Sequence, residues 1–379
     1  MKLEQNVWME NQGWKDGLKQ ELGESAQLVL LFGGTEVLSH AKWLEELKQA
    51  YPRAHLFGCS TAGEICDTRI FDDSLVSTAI HFEATEIALC QVRVDDVAGS
   101  EAAGEHLARS LKRDGLVHVL AISDGQKVNG SELVRGMLKH LPSGVQVTGG
   151  LAGDGARFER TLVFADEAPR DGTIAVIGFY SDRLKIGYGS LGGWDPFGPM
   201  RQVTRSVGNV LYELDNKPAL DLYKTYLGEH AAGLPATGLL FPLGIRRKDD
   251  RGTLVRTILS VDEENQSLTF AGDVPEGSTA QLMKANFDRL IEGASGAASL
   301  SSKGIDSSPD LAILISCVGR KLVLKQRTEE EVEIVREVLG SRTVLTGFYS
   351  YGEICPAGPK ERCELHNQTM TITTFREET

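Results

Sequence analysis

The sequence has few cysteines, fewer basic than acidic residues and no long apolar run. Each of these shortages argues against a class of protein. Its six cysteines in 379 residues are too sparse for a disulfide scaffold and lack the paired spacing of a structural zinc site. With 40 basic against 53 acidic residues, the formal charge of −13 argues against a nucleic-acid-binding surface. No apolar run approaches the roughly 20 residues that would cross a bilayer, and the N-terminus has no apolar signal core. We therefore expect a reducing, cytoplasmic protein without membrane insertion.

Three stretches of the chain share one pattern, in which small residues precede a glycine that is followed by a carboxylate. They are FGCSTAGE (57–64), VTGGLAGD (147–154) and TGFYSYGE (346–353), and they overlay without a gap. A unit used three times in one chain indicates a built cavity rather than a chance motif. The sequence thus predicts where a site lies before it indicates what binds there.

Each of these glycine loops belongs to a predicted β-α-β-loop-β-β unit. Apolar runs that begin near residues 28, 118 and 311 are each followed by a helical pattern, a short strand and the loop. The first two strands, bridged by a helix, are expected to be parallel, and the later strands antiparallel. The predicted fold class is α+β or mixed α/β, with mixed sheets and helices on their outer faces. Two sheets stacked face to face are one arrangement that meets this description.

The same pattern divides the chain into segments. Residues 1–24 are assigned to an N-terminal extension, 25–230 to a first domain and 231–375 to a second. The part between the second and third units differs from them, with hairpins and a helix predicted over 281–298.

Ligands commonly bind where strands end in small residues and expose backbone N–H groups. Trp194, in a glycine-rich loop, is a further candidate as the wall of an aromatic pocket. The alternative is that the loops are tight turns whose carboxylates cap backbone donors, and both interpretations stay open. The candidate binding residues are Cys59, Ser60, Thr61, Glu64, Gly149, Gly150, Asp154, Trp194, Tyr349, Tyr351 and Glu353.

An enzyme is the competing hypothesis. Cys59 lies in a sequence that suggests a nucleophile on a strand-to-turn elbow, with Ser60 beside it. The G-x-S-x-G elbow would require glycine at position 62, where this chain has Ala62. No paired base is identifiable from the sequence, so a small buried cysteine is the simpler interpretation.

Longer strings in and between the loops resemble the FIST sensory-domain family, an N-terminal FIST part followed by a FIST C part, over about residues 25 to 375. These strings are specific as a set, since no single one would suffice. They are FGCSTAGEI (57–65), GWDPFG (193–198), VTRS (203–206), YELD (212–215), PALDLY (218–223), LFPL (240–243), VRTI (255–258), FAGDVPEG (270–277), NFD (286–288), GFYSYGEI (347–354) and LHNQT (365–369).

The resemblance implies an intracellular sensor of a small molecule such as an amino acid, which feeds two-component, chemotaxis or cyclic-di-GMP signalling. Because only residues 370–379 follow the last matching string, we expect the output to be a separate partner such as a histidine kinase. In this respect the chain is similar to nitric-oxide-sensing haemoproteins that control a histidine kinase in trans.

Haem is implied by that subgroup likeness alone, and the cofactor is otherwise unknown. His366, soon after the third loop, is the candidate axial ligand by position, and Asn367 beside it joins the binding candidates. A histidine hydrogen-bonded within the fold is the alternative for His366.

Overall fold

Three β-α-β units and one inserted segment make up the chain in the computed structural model, which describes residues 1–40, 42–247, 253–305, 307–356 and 362–378. Unit one contains β1 (Lys2–Met9), β2 (Gly13–Trp14), β3 (Leu28–Gly33), α1 (Thr35–Ser39), α2 (Lys42–Ala50), β4 (His55–Ser60), β5 (Glu64–Cys66), β6 (Arg69–Phe71), β7 (Ser74–His81) and β8 (Glu86–Arg93). Unit two contains α3 (Ser100–Ser110), β9 (Leu116–Ser123), α4 (Gly130–Leu138), β10 (Gln146–Leu151), β11 (Val163–Ala165), β12 (Thr173–Tyr180) and β13 (Leu184–Leu191).

The inserted segment and the third unit follow. The insert contains β14 (Trp194–Val207), β15 (Val210–Leu214), β16 (Lys217–Pro218), α5 (Ala219–Leu227), β17 (Leu243–Arg246), β18 (Leu254–Arg256), β19 (Ile258–Asp262), β20 (Ser267–Phe270) and β21 (Thr279–Ala285). Unit three contains α6 (Phe287–Ser301), β22 (Leu311–Cys317), α7 (Val318–Leu324), α8 (Thr328–Leu339), β23 (Val344–Ser350), β24 (Gly352–Pro356), β25 (Cys363–His366) and β26 (Met370–Glu377).

The three units exchange strands, so that each sheet draws on more than one of them. The sheets have the orders β11-β4-β3-β7-β1-β2, β25-β24-β10-β9-β12-β8 and β13-β26-β22-β23-β5-β6. The predicted parallel pairs β3–β4, β9–β10 and β22–β23 are confirmed at the centres of these sheets. The short strand after each glycine loop joins the sheet of another unit. In the first sheet β1 lies beside β7, just as β8 lies beside β12 and β13 beside β26 in the other two sheets. The three sheets are therefore related by a pseudo-threefold pattern.

The core at the centre of this pattern is formed by the inner faces of three sheets rather than by two stacked sheets. Phe32, Ile122 and Ile315 lie there, one from the first strand of each parallel pair, β3, β9 and β22. Helices α3, α4, α6 and α8 cover the outer faces, in contact with a second apolar cluster, as the predicted fold class requires. Each unit contributes strands to more than one sheet, so the three sheets form together and share this core.

Residues 194–285 form a separate domain, here called the inserted domain, and the three units together are called the body. The inserted domain has its own sheet, in the order β18-β17-β21-β14-β15-β20-β19, with β16 paired to β15. The helix predicted from residue 281 starts instead at Phe287, because residues 279–285 pair with β14 and β17. Asn286 caps that helix, accepting from Arg289 N at 3.3 Å. None of the helices in the described ranges has the length and apolarity to cross a membrane.

Candidate functional site

The three glycine loops meet at the centre of the body. An added Cβ would lie 1.8 Å from a carbonyl oxygen of the neighbouring parallel strand at each of Gly58, Gly149 and Gly347. These three glycines therefore occupy one structural position, whereas the gapless overlay of the sequences places Thr148 there in the second copy. The second copy is shifted by one residue, because only glycine allows the backbones to approach this closely.

The loops are held to one another by backbone hydrogen bonds and are buried. Each pair of loops is joined by at least one bond, so the donors that the strand ends supply are already used within the fold. The bonds include Ala62 N to Tyr349 O (2.8 Å), Gly153 N to Ser60 O (2.9 Å) and Tyr351 N to Leu151 O (3.1 Å). The residues predicted to bind a ligand in the loops are thus brought together, but packed against each other.

Two of the loop carboxylates cap local donors in the same way. Glu64 accepts from Thr61 Oγ1 and from Ser74, at 3.2 Å from its N and 2.6 Å from its Oγ. Glu353 accepts from Ser350 Oγ at 2.7 Å and from Thr369 N and Oγ1 at 3.1 and 2.9 Å. Burial raises the pKa of Glu64 to about 7 and that of Glu353 to about 8, although these hydrogen bonds oppose the shift.

Asp154 caps the segment that follows the second loop. Its carboxylate accepts from the backbone N–H groups of Phe158, Glu159 and Arg160 at 2.9, 2.8 and 2.9 Å. Tyr351 also donates to it, and the Tyr351 ring stacks on Phe158 with 4.4 Å between ring centroids. The loop carboxylates are therefore arranged as caps of backbone and hydroxyl donors.

Cys59 and Ser60 lie inside this packed junction. Burial, with a smaller contribution from Glu64, raises the pKa of the Cys59 thiol well above its usual value. Ser60 Oγ accepts from Leu162 N at 2.8 Å. Neither side chain has the exposed, activated geometry of a nucleophile.

His366 pairs with Glu353 across β24 and β25, directly behind the third loop. Its Nε2 donates to Cys355 O at 2.9 Å, and burial lowers the imidazole pKa to about 4. This nitrogen does not fit haem ligation, because the backbone bond occupies it. Among the described residues, no group of three or more His, Cys, Asp or Glu could hold a metal ion. Asn367 is fully buried, and neither atom of its amide has a hydrogen-bond partner among those residues.

Trp194 lies apart from the loops, where the body meets the inserted domain. Its Nε1 donates to Gln368 O at 2.9 Å. With Met200 and Met283 it lines a cavity of about 280 Å³ on the inserted domain. The predicted aromatic wall is thus part of the boundary between the two bodies.

A larger cavity of about 850 Å³, here called the cleft, opens between the inserted domain and unit two. Its walls are α4 with the segment up to Gln146, the inserted-domain residues Arg247, Arg256, Asp273 and Pro275, and residues 362–365 at β25. None of the binding residues predicted from the sequence lies among the residues that line it.

Arg256 forms the floor of the cleft and is 1% exposed. Its Nε donates to Asp273 O at 3.0 Å, and its Nη1 donates to Leu365 O at 2.9 Å and to Val255 O at 3.3 Å. Burial lowers the pKa of the guanidinium to about 10, so it remains charged at neutral pH. Its signal in the sequence was a charged residue between two apolar runs, inside the string VRTI.

Ion pairs tie the rim of the cleft together. Arg135 bridges Glu101 at 2.9 Å and Asp273 at 3.3 Å, the latter across the boundary between body and inserted domain. Arg247 pairs with Glu364 at 2.5 Å, again across that boundary. The cleft is therefore bounded by contacts that join the two bodies.

Comparisons with known proteins agree with the strings noted in the sequence. An uncharacterized protein of Methanocaldococcus jannaschii is 26% identical over 357 aligned residues, covering 84% of this chain. The chain spans 66% of that relative's length, just under two thirds. A solved cyanuric acid hydrolase from A. caulinodans aligns with 78% of this chain and 100% of its own, at 11% identity and a TM-score of 0.18. A score this low supports no conclusion about fold or function.

Two family domains match this chain. The FIST N domain matches residues 27–217, and the FIST C domain matches residues 219–356. Together they cover most of the chain in the order that the sequence strings predict. The chain therefore belongs to the FIST family, whose domains are associated with small-ligand sensing in signal transduction.

Proposed function

We propose that this protein is a small-molecule sensor, rather than an enzyme, whose ligand binds in the cleft and whose output is a separate signalling partner such as a histidine kinase. The volume of about 850 Å³ lies within the range of small-molecule sites, roughly 300 to 1,000 Å³. The family association with ligand sensing supports the same function.

The observation that carries the proposal is that both bodies line the cleft. A ligand there touches α4 and β25 of the body together with β18 of the inserted domain. Such a ligand favours one relative arrangement of the two bodies if it binds that arrangement more tightly. A partner protein that contacts both bodies would bind the two arrangements with different affinity.

A ligand among the three glycine loops is the alternative location. That location requires the hydrogen bonds between the loops, such as Gly153 N to Ser60 O at 2.9 Å, to separate first. In the cleft no such rupture is needed, since the space is already present. We therefore place the ligand in the cleft.

Thermal denaturation with a panel of amino acids and metabolic acids tests this location. Leu138 is partly buried on α4 and faces the cleft, so Leu138→Trp would fill it. We expect a compound that stabilises the native protein to lose its effect in Leu138→Trp. Leu44→Trp, the same change on α2 and away from the cleft, is the matched control and should leave the stabilisation intact. Equal stabilisation of both variants would place the ligand elsewhere.

Haem with nitric oxide is a narrower version of the sensor function. Because His366 Nε2 already donates to Cys355 O, we expect no haem absorbance that depends on this residue. Titration of the protein with haemin, followed in the Soret region, should give the same spectrum for the native chain and for His366→Ala. A band present only in the native chain would restore His366 as the axial ligand.

A further inference from the structure

We propose that the ligand of the cleft is a small organic anion, with a carboxylate or phosphate head bound at Arg256 and an apolar body against α4. This inference rests on the proposed function, since it names the chemistry of the ligand for the same cleft.

The head group is inferred from the partners of Arg256. Its donors reach three backbone carbonyls, which carry no net charge, and no described carboxylate forms an ion pair with it. Arg320, the other large and fully buried arginine, does have such a partner, with Glu331 at 2.7 Å. A buried charge is normally paired, because removing it from water is costly. The nearby carboxylates of Asp273 and Glu364 pair with Arg135 and Arg247, so no described carboxylate is bonded to Arg256 itself.

The surrounding charges favour the same class of ligand. Five cationic residues line the cleft against the carboxylates of Asp273 and Glu364, in a chain whose net charge is −13. Part of this excess is balanced from outside the cleft, since Glu101 and Glu105 pair with Lys139. The cationic residues are Arg135, Lys139, Arg247, Arg256 and Arg362.

The apolar body is inferred from the aliphatic residues that line the cleft. Val134 and Leu138 of α4, with Leu141 and Val145 beyond it, present aliphatic side chains to the cleft, and Leu365 borders the floor beside Arg256. A ligand that only carried charge would leave these side chains in water. A head group at Arg256 with an aliphatic or aromatic body satisfies both the guanidinium and the aliphatic side chains of the lining.

Isothermal titration calorimetry with compounds that share one chain tests the class. Octanoate and octyl phosphate carry the proposed head groups, octylamine reverses the charge, and inorganic phosphate lacks the apolar body. We expect the two octyl anions to bind and the other two compounds to bind at least tenfold more weakly. The stronger of the two anions identifies the head group as carboxylate or phosphate.

Variants connect this binding to the cleft. Arg256→Gln should weaken octyl-anion binding at least tenfold, whereas Arg201→Gln, at an arginine paired with Asp215 on the inserted domain, should leave it unchanged. Since Arg256→Gln alters a buried residue, Leu138→Trp provides a second test at a partly exposed one, and it should abolish binding as well.

Four outcomes would overturn the inference. Octylamine binding as tightly as octanoate, or anion binding that is unaffected in folded Arg256→Gln, would contradict the ligand class. A different compound whose binding is lost in Leu138→Trp would contradict the class but keep the cleft as the sensor site. Octyl-anion binding that survives in Leu138→Trp would remove the cleft from consideration and the proposed function with it.

Discussion

At the scale of single residues, the glycine shared by the three loops is tightly constrained by the neighbouring parallel strand. Gly347 has a φ of +155°, and an added Cβ would lie 1.8 Å from Leu314 O. Gly115 has a φ of +77° with nothing within 4 Å. Gly115 therefore has a positive φ without a close contact, whereas Gly347 has both a positive φ and a close contact.

We predict that Gly347→Ala lowers the free energy of unfolding by more than about 4 kcal/mol, because a strand backbone would have to move. Gly115→Ala should cost about 1 to 2 kcal/mol, the strain of the conformation alone. Urea denaturation of both variants measures the difference. Equal costs would mean that the parallel strands separate easily at this position.

Glu353 makes the stability of the protein depend on pH. Its pKa is about 8 in the folded state against 4.5 in the unfolded chain, so the folded state binds the proton more tightly. This contribution is complete below about pH 4.5 and is lost as the pH rises through about 8. Between these values its slope is at most about 1.4 kcal/mol per pH unit.

We predict that Glu353→Gln reduces the loss of stability between pH 5 and pH 8, since the amide does not ionise. Chemical denaturation at several pH values measures this slope for both proteins. Glu263→Gln, at an exposed carboxylate paired with Lys224, serves as the control and should keep the native slope. Parallel curves for the native chain and Glu353→Gln would show that this carboxyl ionises as easily in the folded as in the unfolded state.

At the scale of elements, the order of strands and helices within each unit followed from local patterns, but their partners did not. The parallel pairs were predicted because a helix connects their strands, and such connections favour parallel pairing. The short strands β5, β11 and β24 each join the sheet of another unit. Three to five residues of β pattern contain no information about which edge they will pair with. The predicted N-terminal extension likewise contains β1, which pairs with β7 over eight residues.

We predict that removal of residues 1–10 destabilises the whole body, because it leaves the edge of β7 unpaired and removes one of the pseudo-threefold positions. The loss should exceed about 3 kcal/mol, or prevent isolation of folded protein, since buried Glu4 and Asn6 also bond Tyr51. Circular dichroism with thermal denaturation measures the effect. Replacing Asn11 and Gln12 in the exposed turn after β1 by glycine is the control and should change little. An unchanged melting temperature after truncation would make β1 dispensable.

At the scale of the whole molecule, one arginine forms hydrogen bonds near both connections between the body and the inserted domain. Arg320 donates to Gly192 O at 2.7 Å and to Leu290 O at 2.7 Å, and it pairs with Glu331. Glu331 in turn accepts from Tyr349 of the third loop at 2.6 Å. This network links the central loops to the two connections of the inserted domain.

We predict that Arg320→Met costs about 3 to 5 kcal/mol, because it leaves Glu331 buried without its counter-charge. Hydrogen exchange should become faster around residues 192–194 and 286–290 than in the central strands. Arg201→Met, at a partly exposed pair with Asp215, should cost much less, because exposed ion pairs contribute little to stability. Uniformly faster exchange over the whole body would show that Arg320 stabilises the core and not the connections in particular.

The sequence by itself determined the three repeated units, the parallel pairs and the mixed fold class, because each rests on patterns of neighbouring residues. It also determined the family, because the matching strings occur as a set along the whole chain. It also predicted that the glycine loops would come together. Only the tertiary structure decided what they do there, since strand exchange turns their N–H groups and carboxylates toward one another. The same packing places Arg256 at the boundary of the two bodies with no described carboxylate bonded to it, 109 residues from Leu365, whose carbonyl it contacts. A cleft formed by segments so far apart in the chain depends on how the bodies meet, which no local pattern specifies.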